Sequence, residues 1–282
     1  MTQRVALIGN PLKRRHSVVM QNAAFAAHGI DARYELSPIE PEGVPGFFEE
    51  ARGAKWLGFG VTAPYKQVAL THVDVVEPGA AAIGAVNNGV RREDGTLVGF
   101  NTDASGFISA VHATGTVVED GTAVVVGAGG AARAVVWALL DAGAHRVVVA
   151  NRSPDSAQEL ARDLSEFGSI EVVATGGPEM MAALGEAVIA VNSTTVGMTT
   201  NDVAFDVAPL SDGALVFDLV YVPPDTPLIG AARARGLAVS NGLEMLIRQG
   251  EIAFERWTGI GDTADVMREA LASWDGGKAT GG

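Results

Sequence analysis

The sequence has no cysteine among its 282 residues, so disulfide bonds and metal sites built on thiolates are excluded. Lysine is also scarce, and the chain has only Lys13, Lys55, Lys66 and Lys278. Lysine and arginine together number 20 against 33 aspartate and glutamate residues, which gives a formal net charge of −13. We therefore expect no nucleic acid and no anionic membrane surface as a partner. The five histidines show no ligand spacing, and no metal is expected.

The sequence also lacks any run of about 18 apolar residues, which argues against a membrane-spanning helix. It begins directly with a predicted strand and has no secretory apolar stretch, so a cytoplasmic protein is expected. What it does have is a composition that is 48% hydrophobic and 19% charged, which is sufficient to fill a globular core. A length of 282 residues fits two domains of ordinary size.

Short β-branched runs alternate with helical patterns, which predicts an α/β fold with parallel sheets. Strands are predicted at 5–8, 32–36, 56–62, 124–126, 146–150, 170–174, 187–191, 215–219 and 238–240. Helices are predicted at 18–28, 44–51, 105–113, 154–167, 228–235, 243–257 and 263–274, with another from a glycine turn to 142. A β-hairpin is predicted at 88–100 because Asp94-Gly95 at its centre is a strong turn signal. The tail at 276–282 is expected to fray.

A glycine turn between a strand and a helix is the most informative motif. Its sequence over 124–133 is Val-Val-Val-Gly-Ala-Gly-Gly-Ala-Ala-Arg. Gly127 permits the tight turn, Gly129 lets a pyrophosphate approach the backbone, and Ala132 stands where a dinucleotide-binding fingerprint packs helix on strand. The N–H groups at the helix start would face an anion. A second strand at 146–150 completes a βαβ unit, which favours dinucleotide binding over a purely structural turn.

The end of that second strand indicates which dinucleotide binds. NAD sites usually have an acidic residue there, which accepts a hydrogen bond from the ribose 2′-OH and would repel a 2′-phosphate. This chain has Asn151-Arg152-Ser153 instead. Arg152 can pair with a 2′-phosphate, while Asn151 and Ser153 can donate to it, so NADP(H) is favoured over NAD(H). The alternative is a solvated Arg152 and a Ser153 that only caps a helix.

Polar loops follow the predicted strands of the first hundred residues. Lys66 ends the run Val61-Thr62-Ala63-Pro64-Tyr65-Lys66, Asn87 precedes the hairpin, and Asp103 follows it. A lysine and an aspartate on such loops form either a proton-transfer pair beside a cofactor or a structural salt bridge, and their spacing leaves both open. Asp103 has the further alternative of capping the helix predicted from 105.

Short motifs occur in order along nearly the whole chain, at 9–11, 22–25, 61–66, 84–87, 101–103, 127–133, 151–152, 192–198, 218–221 and 242–249. Together and in this order they resemble the shikimate dehydrogenase family, which includes quinate/shikimate dehydrogenases and aminoshikimate variants. The resemblance implies an N-terminal α/β substrate-binding domain at 1–103, a Rossmann-like NADP-binding domain at 104–242, and C-terminal helices at 243–282 that return to the first domain.

The reaction implied by the resemblance is a reversible hydride transfer between NADPH and the 3-keto group of 3-dehydroshikimate, which gives shikimate. The partner is then a small ring carboxylic acid, and the enzyme is a monomer or a homodimer. Hydride delivery to a carbonyl leaves developing alkoxide charge, which a cationic lysine stabilises and can protonate.

The resemblance also implies the roles of individual residues. Lys66 and Asp103 become the proton-transfer pair. The residues implied to hold the substrate are Arg15, Ser17, Thr62, Asn87, Asp103, Tyr221 and Gln249. Those implied to hold the cofactor are Gly127, Ala128, Gly129, Gly130, Ala131, Asn151, Arg152, Ser153, Thr194, Met198, Leu219, Tyr221, Gly242 and Met245.

The first substrate loop departs from the family pattern, in which two serines hold the substrate carboxylate. Arg15 replaces the first serine, Ser17 keeps the second, and Val18 and Gln21 replace a proline and a histidine. Glu244 stands where glycine is usual. Arg15 either turns inward onto the carboxylate or points to solvent; we favour the first, because an anionic substrate entering an acidic protein benefits from a local positive site.

These departures leave the preferred ring acid open between shikimate, quinate, an aminoshikimate-like compound and another hydroxylated ring acid. A catalytically silent NADP-binding protein of the same fold is the less favoured alternative, because Lys66, Asn87, Asp103 and Gln249 are all kept.

Overall fold

The computed structural model describes residues 2–274. These residues form two compact units, and each contains its own six-stranded sheet. The first unit consists of residues 2–81, 85–102 and 247–274, and the second of residues 82–84 and 103–246. The two-domain α/β fold expected from the sequence is therefore confirmed. The tail at 276–282 lies outside the described residues.

The strands of the described range are β1 Gln3–Gly9, β2 Ala32–Pro38, β3 Trp56–Val61, β4 Val75–Val76, β5 Asn88–Arg91, β6 Leu97–Phe100, β7 Thr122–Val126, β8 Arg146–Asn151, β9 Ile170–Ala174, β10 Ala187–Asn192, β11 Leu215–Asp218 and β12 Ala238–Asn241. The helices are α1 His16–Ala27, α2 Val44–Ala51, α3 Pro78–Ile83, α4 Asp103–His112, α5 Gly130–Asp141, α6 Pro154–Asp163, α7 Pro178–Glu186, α8 Pro227–Ala234, α9 Gly242–Thr258 and α10 Ala264–Ser273.

The sheet of the first unit has the strand order β2-β1-β3-β5-β6-β4 and is mixed. Strand β1 is parallel to β2 and β3, whereas β5 is antiparallel to both β3 and β6. The antiparallel pairs come from the predicted hairpin at 88–100, whose two strands reverse the direction of the chain. The hairpin itself is confirmed, with Gly95 at φ +90° in its turn.

An aromatic cluster fills the core between α2 and β3. Phe47 and Phe48 of α2 meet Phe59 of β3 edge-on, with ring centroids 6.2 Å and 5.1 Å away respectively. On the hairpin, Trp257 of α9 donates its indole N–H to the carbonyl oxygen of Gly89 at 3.0 Å. A Cβ at Gly58 would lie 2.6 Å from that indole nitrogen, so glycine lets α9 approach the sheet. The C-terminal half of α9 is thereby fixed in the first unit.

The sheet of the second unit has the order β12-β11-β10-β7-β8-β9, and all its strands are parallel. The valines of β7 and β8 are buried, as expected for strands covered on both faces. Helices α5 and α6 follow β7 and β8, and α8 follows β11. Because all strands point the same way, their carboxyl ends share one edge of the sheet.

Most predicted elements agree with the structure to within one or two residues. The helix predicted at 154–167 ends earlier, at Asp163, because the chain turns where the N–H of Phe167 donates to the carbonyl oxygen of Leu164 at 3.1 Å. Strand β4 and helices α3 and α7 have no counterpart in the sequence-based prediction. None of the helices within residues 2–274 is long and apolar enough to cross a membrane.

Candidate active site

The second sheet has a topological switch point between β7 and β10, because successive strands are added outward in opposite directions from these two neighbours. Open α/β sheets bind ligands beyond the carboxyl ends of their strands at such a point. The glycine turn follows β7, and the loop at 193–198 follows β10. The N–H of Ser193 donates to the carbonyl oxygen of Val126 at 2.9 Å, which joins the two loops.

The glycine turn leaves open space in front of a helix N-terminus. Gly127 has φ +114°, and a Cβ there would lie 2.5 Å from Ser193 Oγ, so this position requires glycine. A Cβ added at Gly129 would meet no atom within 4 Å. Helix α5 has Gly129 as its N-cap residue and no side-chain cap, so its first N–H groups remain available for an anion. The turn therefore fits the pyrophosphate of a dinucleotide.

The residues after β8 fit the phosphate that distinguishes NADP from NAD. Arg152 is exposed, and within residues 2–274 its guanidinium forms no hydrogen bond or ion pair. Asn151 is held by the bond from its Nδ2 to the carbonyl oxygen of Ser153 at 2.8 Å. Ser153 is the N-cap residue of α6, but its hydroxyl makes no capping bond. A cation and a hydroxyl thus stand together at the edge of the sheet where the ribose 2′-phosphate is expected.

Arg133, the last residue of the glycine motif, has a different environment. It is buried, its Nε donates to the carbonyl oxygen of Ile83 at 2.8 Å, and its other nitrogen pairs with Asp163 at 2.8 Å. These bonds join α5 to the segment 82–84 and to the end of α6 within the second unit. Arg133 is therefore a structural residue and not a phosphate ligand.

The remaining residues assigned to the cofactor lie in loops at the same edge of the second sheet. Those after β10 are Thr194 and Met198, those after β11 are Leu219 and Tyr221, and those at the start of α9 are Gly242 and Met245. A Cβ at Gly242 would lie 2.1 Å from the carbonyl oxygen of Leu219, so only glycine lets α9 begin this close to the β11 loop.

Lys66 lies in the first unit on a loop that is anchored on both sides. The hydroxyl of the buried Tyr65 donates to the carbonyl oxygen of Ile39 at 2.7 Å. The carbonyl oxygen of Lys66 accepts from Val86 N–H at 2.8 Å, which joins this loop to the segment that carries Asn87. Thr62, at the start of the loop, is held through its N–H to the carbonyl oxygen of Ile8 at 2.9 Å.

A buried network centred on Thr102 holds Asn87 and Gln249. The hydroxyl oxygen of Thr102 accepts from Asn87 Nδ2 at 3.1 Å and from Asn88 Nδ2 at 2.9 Å, and it donates to Gln249 Oε1 at 3.2 Å. The N–H of Thr102 donates to Asn87 Oδ1 at 2.8 Å, so both ends of the Asn87 amide are fixed. Sequence reasoning missed Thr102 as a site residue, although it belongs to the motif Asn101-Thr102-Asp103.

The start of α1 carries the departures from the family loop. Arg15 is the N-cap residue of α1 and is exposed, while Ser17 is half-buried in the first turn. Within residues 2–274 the guanidinium of Arg15 makes no hydrogen bond or ion pair. Burial and the neighbouring charge of Arg14 lower the pKa of His16, whose ring meets Trp274 edge-on at 4.8 Å. The positive charges of Arg14 and Arg15 therefore lie at a helix start that has no side-chain cap.

Asp103 begins helix α4 and is 8% exposed. It is the first residue of this helix, which begins two residues before the predicted start at 105. Lys66 belongs to the first unit and Asp103 to the second. Their action as a proton-transfer pair stays a prediction.

Three family descriptions match successive parts of the chain. Residues 7–88 match the shikimate dehydrogenase substrate binding domain, residues 110–227 match shikimate / quinate 5-dehydrogenase, and residues 242–272 match the shikimate 5′-dehydrogenase C-terminal domain. A shikimate dehydrogenase (NADP(+)) from Symbiobacterium thermophilum is 40% identical over 279 residues, covering 96% of this chain and 95% of that protein. The chain belongs to the shikimate dehydrogenase family.

Solved structures of other family members are similar over nearly the whole chain. Shikimate 5-dehydrogenase from Thermus thermophilus, in complex with NADP(H) and shikimate, has a TM-score of 0.84 at 37% identity, covering 96% of this chain and 99% of that one. Quinate dehydrogenase from Corynebacterium glutamicum, in complex with NAD, has a TM-score of 0.90 at 31% identity, covering 97% and 99%. The same fold therefore occurs in proteins that are named for different substrates and were solved with different cofactors.

Gln21, where the family pattern has histidine, joins α1 to α9 in this chain. It is buried, and its Nε2 donates to the carbonyl oxygen of Gly250 at 2.9 Å, one residue after Gln249. A Cβ at Gly250 would lie 2.0 Å from the terminal methyl carbon of Met20, so the two helices are in close contact there. Gln21 therefore holds α1 against α9, and both helices carry residues assigned to the substrate.

Proposed function

We propose that this protein is an NADP-dependent shikimate dehydrogenase that interconverts 3-dehydroshikimate and shikimate by hydride transfer. The observation that carries this proposal is the match to shikimate dehydrogenases (NADP(+)) at 40% identity over nearly the full length of both chains. The open glycine turn and the exposed Arg152 support NADP(H) as the cofactor.

The proposed binding of NADP(H) uses one edge of the second sheet. The N–H groups at the start of α5, together with Gly127, Ala128, Gly129, Gly130 and Ala131, hold the pyrophosphate. Arg152, with Asn151 and Ser153, holds the 2′-phosphate by charge-assisted hydrogen bonds. The nicotinamide is assigned to the loops that carry Thr194, Met198, Leu219, Tyr221, Gly242 and Met245. When bound, NADPH supplies the hydride that reduces the keto group.

The proposed proton transfer is performed by Lys66 with Asp103. As the carbonyl carbon is reduced, its oxygen gains negative charge, and the Lys66 ammonium stabilises this charge and donates a proton to the oxygen. The carboxylate of Asp103 orients the lysine and accepts a hydrogen bond from a substrate hydroxyl. In the oxidation of shikimate this proton transfer and the hydride transfer both reverse.

The substrate ring is proposed to lie against the amide network of the first unit. Asn87 and Gln249, both oriented by Thr102, hold ring hydroxyls together with Thr62, and Tyr221 completes the site. Ser17 holds the carboxylate, and Arg15 adds a positive charge at the uncapped start of α1. We also propose the domain division expected from the sequence, with a substrate-binding domain at 1–103, an NADP-binding domain at 104–242, and C-terminal helices from 243 that return to the first domain. We propose a cytoplasmic monomer or homodimer.

Steady-state kinetics test this function directly. Shikimate and quinate are each oxidised with NADP and with NAD, and kcat/KM is measured for all four pairs. We expect the highest kcat/KM for shikimate with NADP. A higher value for quinate would overturn the substrate assignment, and NADPH binding without turnover would indicate a catalytically silent protein. Both variants of Arg15 are assayed in the same panel: Arg15→Ser is expected to change the ranking of the ring acids, and Arg15→Ala is expected to raise the KM with kcat less affected.

A further inference from the structure

A carboxylate without a counter-ion is buried between two loops assigned to the nicotinamide. Asp218 is the last residue of β11 and is fully buried, and its strand neighbour Asn192, the last residue of β10, is equally buried. Within residues 2–274 no lysine, arginine or histidine forms an ion pair with Asp218. Burial raises the pKa of its carboxyl group. A group that is so unfavourable to bury needs a compensating arrangement of hydrogen bonds.

Three donors converge on this carboxylate, one from the end of β10 and two from the segment 219–226. Asn192 Nδ2 and the N–H of Val220 reach Oδ1 at 2.9 Å and 3.0 Å, and the hydroxyl of Thr226 reaches Oδ2 at 2.6 Å. The Thr226 hydroxyl oxygen in turn accepts from Ile229 N–H at 3.2 Å, at the start of α8. The two ends of the segment 219–226 are thereby fixed to the end of one strand.

Asn192 extends the network into the loop after β10. Its Oδ1 accepts from the N–H of Thr194 at 3.0 Å and from the Thr194 hydroxyl at 2.7 Å, while its Nδ2 also donates to the carbonyl oxygen of Val196 at 3.2 Å. The carbonyl oxygen of Asn192 accepts from the N–H of Leu219 at 2.9 Å. Thr194 and Leu219, both assigned to the cofactor, are therefore bonded directly to this network.

We propose that Asp218 is a positioning residue for hydride transfer, which acts through Asn192 and Thr226 to hold the loops after β10 and β11 in one arrangement. This inference rests on the proposed function, because it takes those loops as the binding place of the nicotinamide. An aspartate suits the position, since all three partners donate and an ionised carboxylate only accepts. An asparagine would bring two donors of its own to a place that needs acceptors.

The proposal predicts different effects at the two ends of the cofactor. The glycine turn and Arg152 belong to the segments after β7 and β8, and the network does not include them. Loosening the network should therefore disturb the nicotinamide end and leave the adenosine end unchanged. A displacement of about 1 Å in a reacting group can slow a reaction by about a hundredfold.

The test compares Asp218→Asn and Thr226→Val with wild type in shikimate oxidation by NADP. We expect kcat to fall by about tenfold to a hundredfold, and the deuterium isotope effect on kcat, measured with shikimate labelled at the reacting carbon, to rise. The Kd for adenosine 2′,5′-bisphosphate, which has the 2′-phosphate but no nicotinamide, should be within about twofold of wild type. Thr226→Ser keeps the hydroxyl and should restore most of the kcat.

Leu184→Ala is the matched control, because Leu184 is buried in a core cluster of the second unit that includes no assigned ligand residue. It should lower the Tm and leave kcat and the isotope effect unchanged. The proposal is overturned if the folded variants keep the wild-type kcat, or if fragment binding weakens as much as kcat falls, since general loosening affects both ends. Should Asp218→Asn fail to fold, the Thr226→Val and Thr226→Ser pair decides. If the wild-type protein does not oxidise shikimate, the proposed function is refuted instead.

Discussion

Thr102 and Thr263 provide the same substitution in opposite environments. Both are almost completely buried in the first unit, with exposures of 1% and 0%. The hydroxyl of Thr102 is hydrogen-bonded to three side chains, whereas that of Thr263 has no hydrogen-bond partner within residues 2–274. Replacing either threonine by valine keeps the shape of the side chain and removes only the hydroxyl.

The magnitudes follow from the groups that lose a partner. In Thr102→Val the Nδ2 groups of Asn87 and Asn88 lose the acceptor that holds them, and both asparagines are buried. A buried polar group left unsatisfied costs about 1–3 kcal/mol, so we expect a loss of about 2–4 kcal/mol in the free energy of unfolding. Thr263→Val removes a hydroxyl that is already unsatisfied, so it should be neutral or stabilising by up to about 1 kcal/mol.

Urea unfolding of wild type and both variants measures this difference, and kinetics with shikimate measure its effect on the site. Because Thr102 also orients Gln249 and Asn87, Thr102→Val should raise the KM for shikimate as well, whereas Thr263→Val should not change it. The reasoning is refuted if the two variants have the same free energy of unfolding, or if Thr102→Val keeps the wild-type KM.

Lys66→Ala should lower kcat by roughly 10²- to 10⁴-fold with little change in the Kd for NADPH. Asp103→Asn should have the same effect, and an unchanged kcat in either variant would contradict the role of these residues in proton transfer. Arg152→Ala should raise the Kd for NADPH by about ten- to a hundredfold and the Kd for NADH far less. Equal losses of affinity for both cofactors would contradict the binding of the 2′-phosphate by Arg152. The hydrogen bond from Arg52 and the N–H of Leu97 lower the pKa of Asp74. The contribution of Asp74 to the free energy of unfolding is therefore complete above its pKa in the unfolded state, about 3.9, and is lost as the pH falls through its pKa in the folded state. The urea midpoint of Asp74→Asn should accordingly depend less on pH below about 4 than the midpoint of wild type does.

The cofactor side of the site was largely predictable from local sequence. The glycine turn and the Asn151-Arg152-Ser153 segment are each a few consecutive residues, and their geometry follows from one strand–turn–helix unit. Gly127 had to be glycine because of its positive φ, which a short motif already indicates. In contrast, the local pattern predicted the hairpin at 88–100 but not its place beside β3, because strand neighbours are set by the tertiary fold.

The substrate side shows what periodicity and spacing alone did not find. Thr102 was not singled out, because its importance comes from partners at positions 87, 88 and 249 that are distant along the chain. Gln21 was visible only as a departure from a pattern, and its bond to Gly250 joins helices more than two hundred residues apart in sequence.

By itself, the sequence determined the alternation of strands and helices, the phosphate-binding turn, and the order of motifs that places the chain in its family. These features are local, and hydrophobic period, glycine and charge encode them directly. The tertiary structure alone decided that Asp218 has three donors and no cation, and that Arg133 serves structure and not phosphate. Hydrogen-bond partners are set by which chain segments become neighbours on folding, and a single sequence does not specify that neighbourhood residue by residue.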